Sequence, residues 1–161
     1  KPDGCVHVKI WRASDRESAD GDARRGARNV ETTPGNSGGT LNYFTSEEFL
    51  CKCGRSTCDA LKIINPSLLD GLNVLRELTK CQLIVSSGLR CEFWNTHEGG
   101  VKDSEHLVGD AADVVCLGSD ERFKMIRSVF KSGFKRLGIG RTFIHLDVST
   151  TKPAGVIWLY P

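Results

Sequence analysis

His106, Asp113 and His145 place the strongest constraint on how this chain folds. Two imidazoles and a carboxylate can share one zinc ion and leave its fourth tetrahedral position open, whereas structural zinc sites usually close with four thiolate or imidazole ligands. Sharing one ion requires the segments 104–113 and 143–147 to meet at one point. The mixed, incomplete ligand set indicates a catalytic metal site rather than a structural one.

Several short motifs surround these residues in a fixed order. They are Ser87-Gly88-Leu89-Arg90, Asn95, Gly99-Gly100, the Ser-x-His-x-x-Gly-x-Ala-x-Asp run from Ser104 to Asp113, Gly138-Ile139-Gly140, and Phe143-Ile144-His145-Leu146-Asp147. In order and spacing, the motifs resemble the core of the zinc D-Ala-D-Ala carboxypeptidase and L-alanyl-D-glutamate endopeptidase family of peptidoglycan peptidases. The resemblance covers roughly residues 43–160. In the subgroup that the chain resembles most, a Gly-hydrophobic-Gly turn precedes the last motif.

The resemblance implies roles for individual residues. His106, Asp113 and His145 would bind Zn²⁺. Arg90 would bind a carboxylate or carbonyl of the peptide stem, because arginine presents a planar fork of donors that suits a carboxylate; the alternative for Arg90 is a surface salt bridge. Ser104 would line the same pocket, and it is equally suited to capping the segment that follows it.

The general base departs from the family pattern. Many relatives carry an acidic residue three positions before the last zinc-binding histidine, where it takes a proton from the attacking water. Here that position is Thr142, which cannot act as this base. Asp147 shares a strand face with His145, so it is a candidate catalytic residue together with Arg90. It would serve as the base or, with a slight preference, as the acceptor that orients a ligand imidazole; Glu105 is another candidate base.

The expected activity is hydrolysis of a peptide bond in the peptidoglycan stem or cross-bridge, of the D,D-carboxypeptidase or L,D-endopeptidase type, by metal-activated water. The main alternative is a zinc-retaining binding domain without turnover, because the signalling domain of hedgehog proteins resembles the same fold. A third alternative, a disulfide-rich adhesion module without metal, requires the His/Asp set to be accidental. The expected location is extracytoplasmic, in an exported enzyme or a phage lysin acting on the cell wall.

The charge and hydrophobicity of the sequence restrict the binding partners that the protein is expected to have. The 22 basic and 20 acidic residues give a net charge of +2, which is too balanced to argue for nucleic acid binding. The sequence has no apolar run of the length that a transmembrane helix needs. We therefore expect peptidoglycan peptide stems as partners, no nucleic acid, no membrane span, and a monomer.

The chain is expected to contain one catalytic domain, residues 43–161, after an extension, residues 1–42. In that extension Cys5 to Trp11 alternates as a short strand, and residues 12–42 are polar and loop-like. The predicted fold class is α+β, a hedgehog/DD-peptidase-like single domain. Its mixed, mainly antiparallel sheet would carry packed helices on one face and the zinc site on the open face.

Sequence patterns predict the elements of this domain. Thr45 and Glu48 form a capping box for a short helix, and Asn65-Pro66 opens a longer one. That helix would bury a leucine stripe of Leu68, Leu69, Leu72, Leu75 and Leu78. A second amphipathic helix has its apolar face at Phe123, Ile126, Val129 and Phe130 and ends near Gly133. Strands are predicted at 82–86, 111–115, 143–148 and 156–160.

The seven cysteines leave two alternatives open. Cys51, Cys53 and Cys58 lie close together and could bind a second metal with Cys81 or Cys91, but they lack the paired Cys-x-x-Cys knuckles of a zinc ribbon. Disulfides are favoured for an exported protein. Cys116 fits a small buried hydrophobic residue.

Overall fold

The computed structural model describes residues 42–60 and 63–161, which lie in one unit, Thr40–Pro161. The elements in chain order are a 3₁₀ helix Ser46–Phe49, α1 Pro66–Thr79, β1 Val85–Ser87, α2 Glu92–His97, β2 Ala111–Val115, α3 Ser119–Val129, a 3₁₀ turn Phe130–Ser132, β3 Arg136–Ile139, β4 Phe143–Asp147 and β5 Val156–Leu159. The predicted strand at 5–11 and the polar extension up to residue 41 lie outside the described residues. The division at residue 42 therefore stays a prediction.

Helix α1 begins where its sequence predicts. The Asn65 side chain accepts a hydrogen bond from the Ser67 amide, Pro66 occupies the first turn, and Lys80 ends the helix with a left-handed backbone. Leu68, Leu72 and Leu75 are fully buried, Leu69 is partly buried against the core, and Leu78 is 43% exposed. The predicted leucine stripe is therefore correct at three members, partly correct at Leu69 and wrong at Leu78.

Within residues 42–60 and 63–161 the sheet has five strands, in the order β1-β2-β4-β3-β5. All neighbouring pairs are antiparallel except β3 and β5, which are parallel. This arrangement confirms the α+β class and the mixed, mainly antiparallel sheet. Among the described residues, no helix is long and apolar enough to cross a membrane.

The two faces of the sheet differ in chemistry because successive side chains of a strand alternate between faces. One face carries apolar side chains that pack against α1 and α3 in the hydrophobic core: Ala112, Val114, Leu137, Ile144 and Leu146 with Leu68, Leu72, Leu75, Met125, Val129 and Phe134. The other face carries Asp113, His145 and Asp147. Each central strand therefore supplies both core and polar side chains.

Four details differ from the sequence-based predictions. Strand β1 is shorter than 82–86 predicted, with a register irregularity between Val85 and Ser87. Helix α2 was not predicted, and Gly138 and Ile139, expected in a turn, lie in strand β3. Helix α3 and its 3₁₀ extension do end at Gly133, but Phe123 and Phe130 are exposed, and Met125 is buried instead.

Candidate metal centre

One row of side chains crosses the polar face of the sheet. Ser87 of β1 is opposite Asp113 of β2, and Asp113 is opposite His145 of β4. His145 is opposite Gly138 of β3, which in turn is opposite Trp158 of β5. Because directly opposed residues share a face, the register brings Asp113 and His145 into contact although they are distant in sequence.

His106 reaches this row from a turn rather than from a strand. The turn spans 105–109, and the Arg90 amide donates a hydrogen bond to the His106 carbonyl at 2.9 Å. Gly109 has a φ of +83°, and a side chain there would collide with the Ile63 carbonyl oxygen. The glycine in the Ser-x-His-x-x-Gly pattern is therefore required by the turn that presents His106.

Three side-chain atoms meet at one point. His106 Nε2 lies 3.2 Å from Asp113 Oδ1 and 3.2 Å from His145 Nδ1, and Asp113 Oδ1 lies 2.8 Å from His145 Nδ1. Three corners of a tetrahedron around zinc, with bonds of roughly 2.0–2.1 Å, are about 3.4 Å apart. The two distances from His106 Nε2 are close to that value, and the distance between Asp113 Oδ1 and His145 Nδ1 is shorter. The three residues could hold a metal ion together.

The contacts of the two ring nitrogens that point away from the meeting point, His106 Nδ1 and His145 Nε2, indicate the protonation of the other nitrogen in each ring. His106 Nδ1 lies 2.6 Å from the Gly88 carbonyl oxygen, and His145 Nε2 lies 3.3 Å from Asp147 Oδ2. Both oxygens accept hydrogen bonds, so each of these nitrogens carries a proton. In neutral rings, His106 Nε2 and His145 Nδ1 are then acceptors, and they face each other and a carboxylate oxygen. A cation at their meeting point satisfies all three atoms.

The protonation preferences follow from burial and contacts. Burial lowers the pKa of His106 against the opposing effect of its hydrogen bond to Asp113, so this ring favours the neutral form that binds metals. For His145, burial also opposes charge, but hydrogen bonds to Asp113 and Asp147 outweigh burial and raise the pKa. For Asp113, burial is likewise outweighed, here by hydrogen bonds from both histidines, and its pKa falls. Asp113 is therefore a carboxylate.

Arg90 contacts the other oxygen of Asp113. Its Nη2 donates to Asp113 Oδ2 at 2.6 Å, and its Nε donates to Ser87 Oγ at 2.8 Å. The ion pair is buried, not at the surface as the alternative supposed. Arg90 thus fixes the carboxylate with Oδ1 toward the two histidines.

Asp147, like Asp113, is bound by an arginine, and it contacts the His145 ring at Nε2. Its Oδ1 accepts from Arg136 Nε at 2.6 Å and from the Ser149 amide at 3.1 Å, while Oδ2 contacts His145 Nε2. The residue is 1% exposed. Burial alone would raise the pKa of Asp147, but hydrogen bonds with His145 and Ser149 and the charges of His145 and Arg136 outweigh burial and lower this pKa. The carboxylate contacts the ring nitrogen that faces away from His106 and Asp113.

A cavity of about 740 Å³ opens above these residues. Its walls include every sequence-predicted site residue: Arg90, Ser104, Glu105, His106, Asp113, His145 and Asp147. Glu105 Oε1 lies 3.5 Å from Lys152 Nζ. Thr142 is exposed in the turn before β4 and is not among the lining residues.

Several further lining residues were not identified from the sequence, among them two cationic and two aromatic side chains. Arg136, Lys152, Trp158 and Tyr160 come from β3 and from the segment after β4. The Trp158 and Tyr160 rings lie 5.5 and 6.1 Å from the His145 ring, centroid to centroid. The sequence did contain a signal for these two rings: they are two residues apart on a predicted strand, so they should lie on the same face of the sheet. Nothing in the local sequence pointed to Arg136 or Lys152.

The motif residues between Arg90 and Ser104 shape one wall of the cavity. Asn95 Nδ2 donates to the Val101 carbonyl at 2.8 Å, and Gly99 has a φ of +71°. A side chain on Gly100 would collide with the Asn95 amide. Asn95 and the two glycines therefore fix the chain that leads to Ser104.

An α+β fold with two imidazoles and a carboxylate gathered at the floor of a cavity defines a candidate metalloenzyme. A family model described as Peptidase M15 matches residues 42–147. The chain belongs to the peptidase M15 family, a family of metallopeptidases, and the resemblance inferred from the motifs is confirmed. A comparison with curated proteins gave no match.

Proposed function

We propose that this protein is a zinc-dependent metallopeptidase that hydrolyses peptide bonds in the peptidoglycan stem or cross-bridge. Membership of the peptidase M15 family supports peptide hydrolysis. The observation that carries the proposal is the meeting of two imidazole nitrogens, His106 Nε2 and His145 Nδ1, with the carboxylate oxygen Asp113 Oδ1 at the floor of the cavity.

The donor set fits zinc better than a harder ion. Imidazole suits zinc, whereas magnesium and calcium prefer sites made of oxygen alone. A zinc ion held by these three side chains would supply a Lewis acid that polarises the scissile carbonyl and lowers the pKa of a water molecule.

Charge balance favours the same chemistry. Arg90 neutralises Asp113, and Arg136 neutralises Asp147, so each of these carboxylates already has a buried cationic partner. A divalent cation added to this arrangement therefore leaves the floor of the cavity strongly positive. A positive floor favours a substrate carboxylate and the negative charge that develops on a carbonyl oxygen during hydrolysis.

Proton transfer requires a group that faces the cavity, and the two carboxylates that the sequence suggested for this role, Asp147 and Glu105, both line it. Asp147 has both oxygens engaged by His145, Arg136 and Ser149, which supports a role in orienting the His145 ring. Glu105 lines the cavity, and its contact with Lys152 is longer than a hydrogen bond. We therefore assign proton transfer to Glu105 and ring orientation to Asp147.

Substrate contacts are assigned to the walls. Ser104 and Arg90 line the cavity, as does the aromatic surface formed by Phe143, Trp158 and Tyr160. Arg90 has five N–H donors, of which Nε and one at Nη2 bind Ser87 and Asp113. In this proposal Arg90 positions Asp113 first and contacts the peptide stem second.

The second candidate function is a zinc-retaining binding domain without turnover. The observation that favours it is the engagement of both Asp147 oxygens together with the position of Thr142 outside the cavity, because neither residue then supplies a base. Such a protein would bind peptide stems and leave them intact.

Digestion of purified peptidoglycan tests the proposal. The zinc-loaded protein should release new amino groups, chelation should stop the release, and added zinc should restore it. Mass spectrometry of the soluble fragments identifies the bond that is cut. His106→Ala is the inactive control, and exposed Arg127→Ala is the matched surface control that should keep full activity.

Two outcomes would contradict the proposal in different ways. A folded, zinc-loaded protein that sediments with peptidoglycan but releases no fragments would favour the binding domain. Cleavage that survives both chelation and His106→Ala would remove the metal centre from the reaction.

A further inference from the structure

Four cysteine thiols meet at a second place in the fold, outside the cavity described above. Cys51, Cys53 and Cys58 lie on the irregular chain between the first 3₁₀ helix and α1, and Cys91 precedes α2. Their sulfur atoms all lie within 4.8 Å of one another. All four cysteines are free thiols, whereas Cys81 is disulfide-bonded. The preference for disulfides is therefore not met at this cluster.

The sulfur separations fit metal binding better than disulfide formation. Cys51 Sγ and Cys91 Sγ are 3.7 Å apart. Sulfur atoms around a tetrahedral zinc, with bonds of roughly 2.3 Å, are about 3.8 Å apart, whereas a disulfide requires about 2.05 Å. The separation between these two segments is thus already that of two ligands of one ion.

Backbone amides point at three of the sulfur atoms. The Arg55 amide lies 3.5 Å from Cys53 Sγ, the Cys91 amide 3.3 Å from Cys51 Sγ, and the Trp94 amide 3.4 Å from Cys91 Sγ. Gly54, with a φ of +66°, makes the bend that turns the Arg55 amide back toward Cys53. Burial raises the pKa of the Cys51 thiol, whereas the amide donors oppose this effect by favouring the thiolate. The thiolate is the form that binds metal.

We propose that Cys51, Cys53, Cys58 and Cys91 bind a second metal ion, a structural zinc. Four thiolates fill a tetrahedral coordination sphere and leave no open position for a substrate, which is the property of a structural site. The sequence left the fourth ligand open between Cys81 and Cys91, and the structure brings Cys91, more than thirty residues after Cys58, to the other three thiols.

The second site connects two segments that support the first one. Cys91 follows Arg90, whose amide binds the His106 carbonyl. The Leu89 amide donates to the Phe49 carbonyl at 2.8 Å, so the chain leading to Cys51 already packs on the loop that carries Arg90. A zinc ion between Cys51 and Cys91 fastens this contact. Its loss should loosen the support of His106 and Asp113.

Elemental analysis of protein purified in reducing buffer tests the proposal. The unchanged chain should hold about two zinc ions, and Cys58→Ser and His106→Ala about one each, because the sites share no ligand. Cys116→Ser removes a buried cysteine outside the cluster and should keep both ions. One zinc per chain that is unaffected by Cys58→Ser would overturn the proposal, and iron in place of zinc would overturn the assigned metal.

A measurement on the unchanged chain covers the case in which Cys58→Ser fails to fold. Cobalt bound by four thiolates gives strong sulfur-to-metal charge-transfer absorption in the near ultraviolet, whereas cobalt bound by two imidazoles and a carboxylate does not. The cobalt-loaded chain should show this absorption. Its absence at full cobalt loading, or a Cys51–Cys91 disulfide in mass spectrometry of the unreduced protein, would contradict a tetrathiolate site.

Discussion

At the scale of single residues, each of the three candidate ligand side chains is fixed by a second group. Gly88 and Asp147 fix the two histidine rings, and Arg90 fixes the carboxylate. Removing groups of this kind from a metal site typically changes metal affinity about 10–100-fold. In the proposed function Asp147 orients the His145 ring and Glu105 transfers the proton, so substitutions of these two residues should have different effects.

Asp147→Asn should weaken zinc binding about 10–100-fold and retain turnover when zinc is saturating. Glu105→Gln should keep zinc affinity and lose turnover, since proton transfer typically contributes about 10²–10⁴-fold. Zinc titration and steady-state hydrolysis of peptidoglycan fragments measure both quantities. The opposite pattern, with turnover lost only in Asp147→Asn, would make Asp147 the base.

Arg90→Ala should destabilise the zinc-free protein by about 3–5 kcal/mol, because it leaves the buried Asp113 carboxylate without its cationic partner. Urea unfolding measures this free energy, and Arg127→Ala provides the surface control. A variant as stable as that control, with only a raised KM, would show that Arg90 serves the substrate alone.

At the scale of elements, β3 explains how aromatic rings come to lie near His145. A side chain on Gly138 would place its Cβ 2.6 Å from Tyr160 and 2.8 Å from Trp158. The strand was not predicted because it is short and contains glycine, which usually weakens strands. Here glycine is required by the rings that pack over it.

Gly138→Ala should therefore displace the Trp158 and Tyr160 rings and cost about 1–3 kcal/mol in unfolding free energy. Near-ultraviolet circular dichroism reports the ring positions, and zinc content should stay unchanged. Most of this cost should disappear in a chain that also carries Trp158→Ala and Tyr160→Ala. An equal cost in that background would show that the glycine is needed for another reason.

Helix α1 offers a matched pair with the same substitution and opposite burial. Leu72→Ala should cost about 2–5 kcal/mol, because it leaves a cavity in the core, and Leu78→Ala should change stability by less than about 0.5 kcal/mol. Thermal or urea unfolding measures both variants. Equal costs would contradict the orientation of the helix.

At the scale of the whole molecule, the sequence predicted the helices and strands that have a periodic pattern and the site residues that belong to motifs. Strands β2 and β4 were predicted because β-branched and aromatic residues flank their polar members. The exposed Phe123 and Phe130 and the buried Met125 could not be distinguished by helical spacing, because α1 decides which face is covered. Arg136 and Lys152 depend on strand register, so no local pattern contains them. The sequence named Cys81 and Cys91 as alternatives for the fourth thiol of the cysteine cluster, and the choice of Cys91 depends on a loop contact that no local pattern contains.

If one cation binds between the three converging side chains, an anomalous difference map should show it directly. For crystals of the zinc-loaded protein, with data collected at the zinc absorption edge, we expect a peak about 2.0–2.2 Å from His106 Nε2, Asp113 Oδ1 and His145 Nδ1. No peak there at saturating zinc, with the three side chains still in contact, would contradict the proposed metal centre.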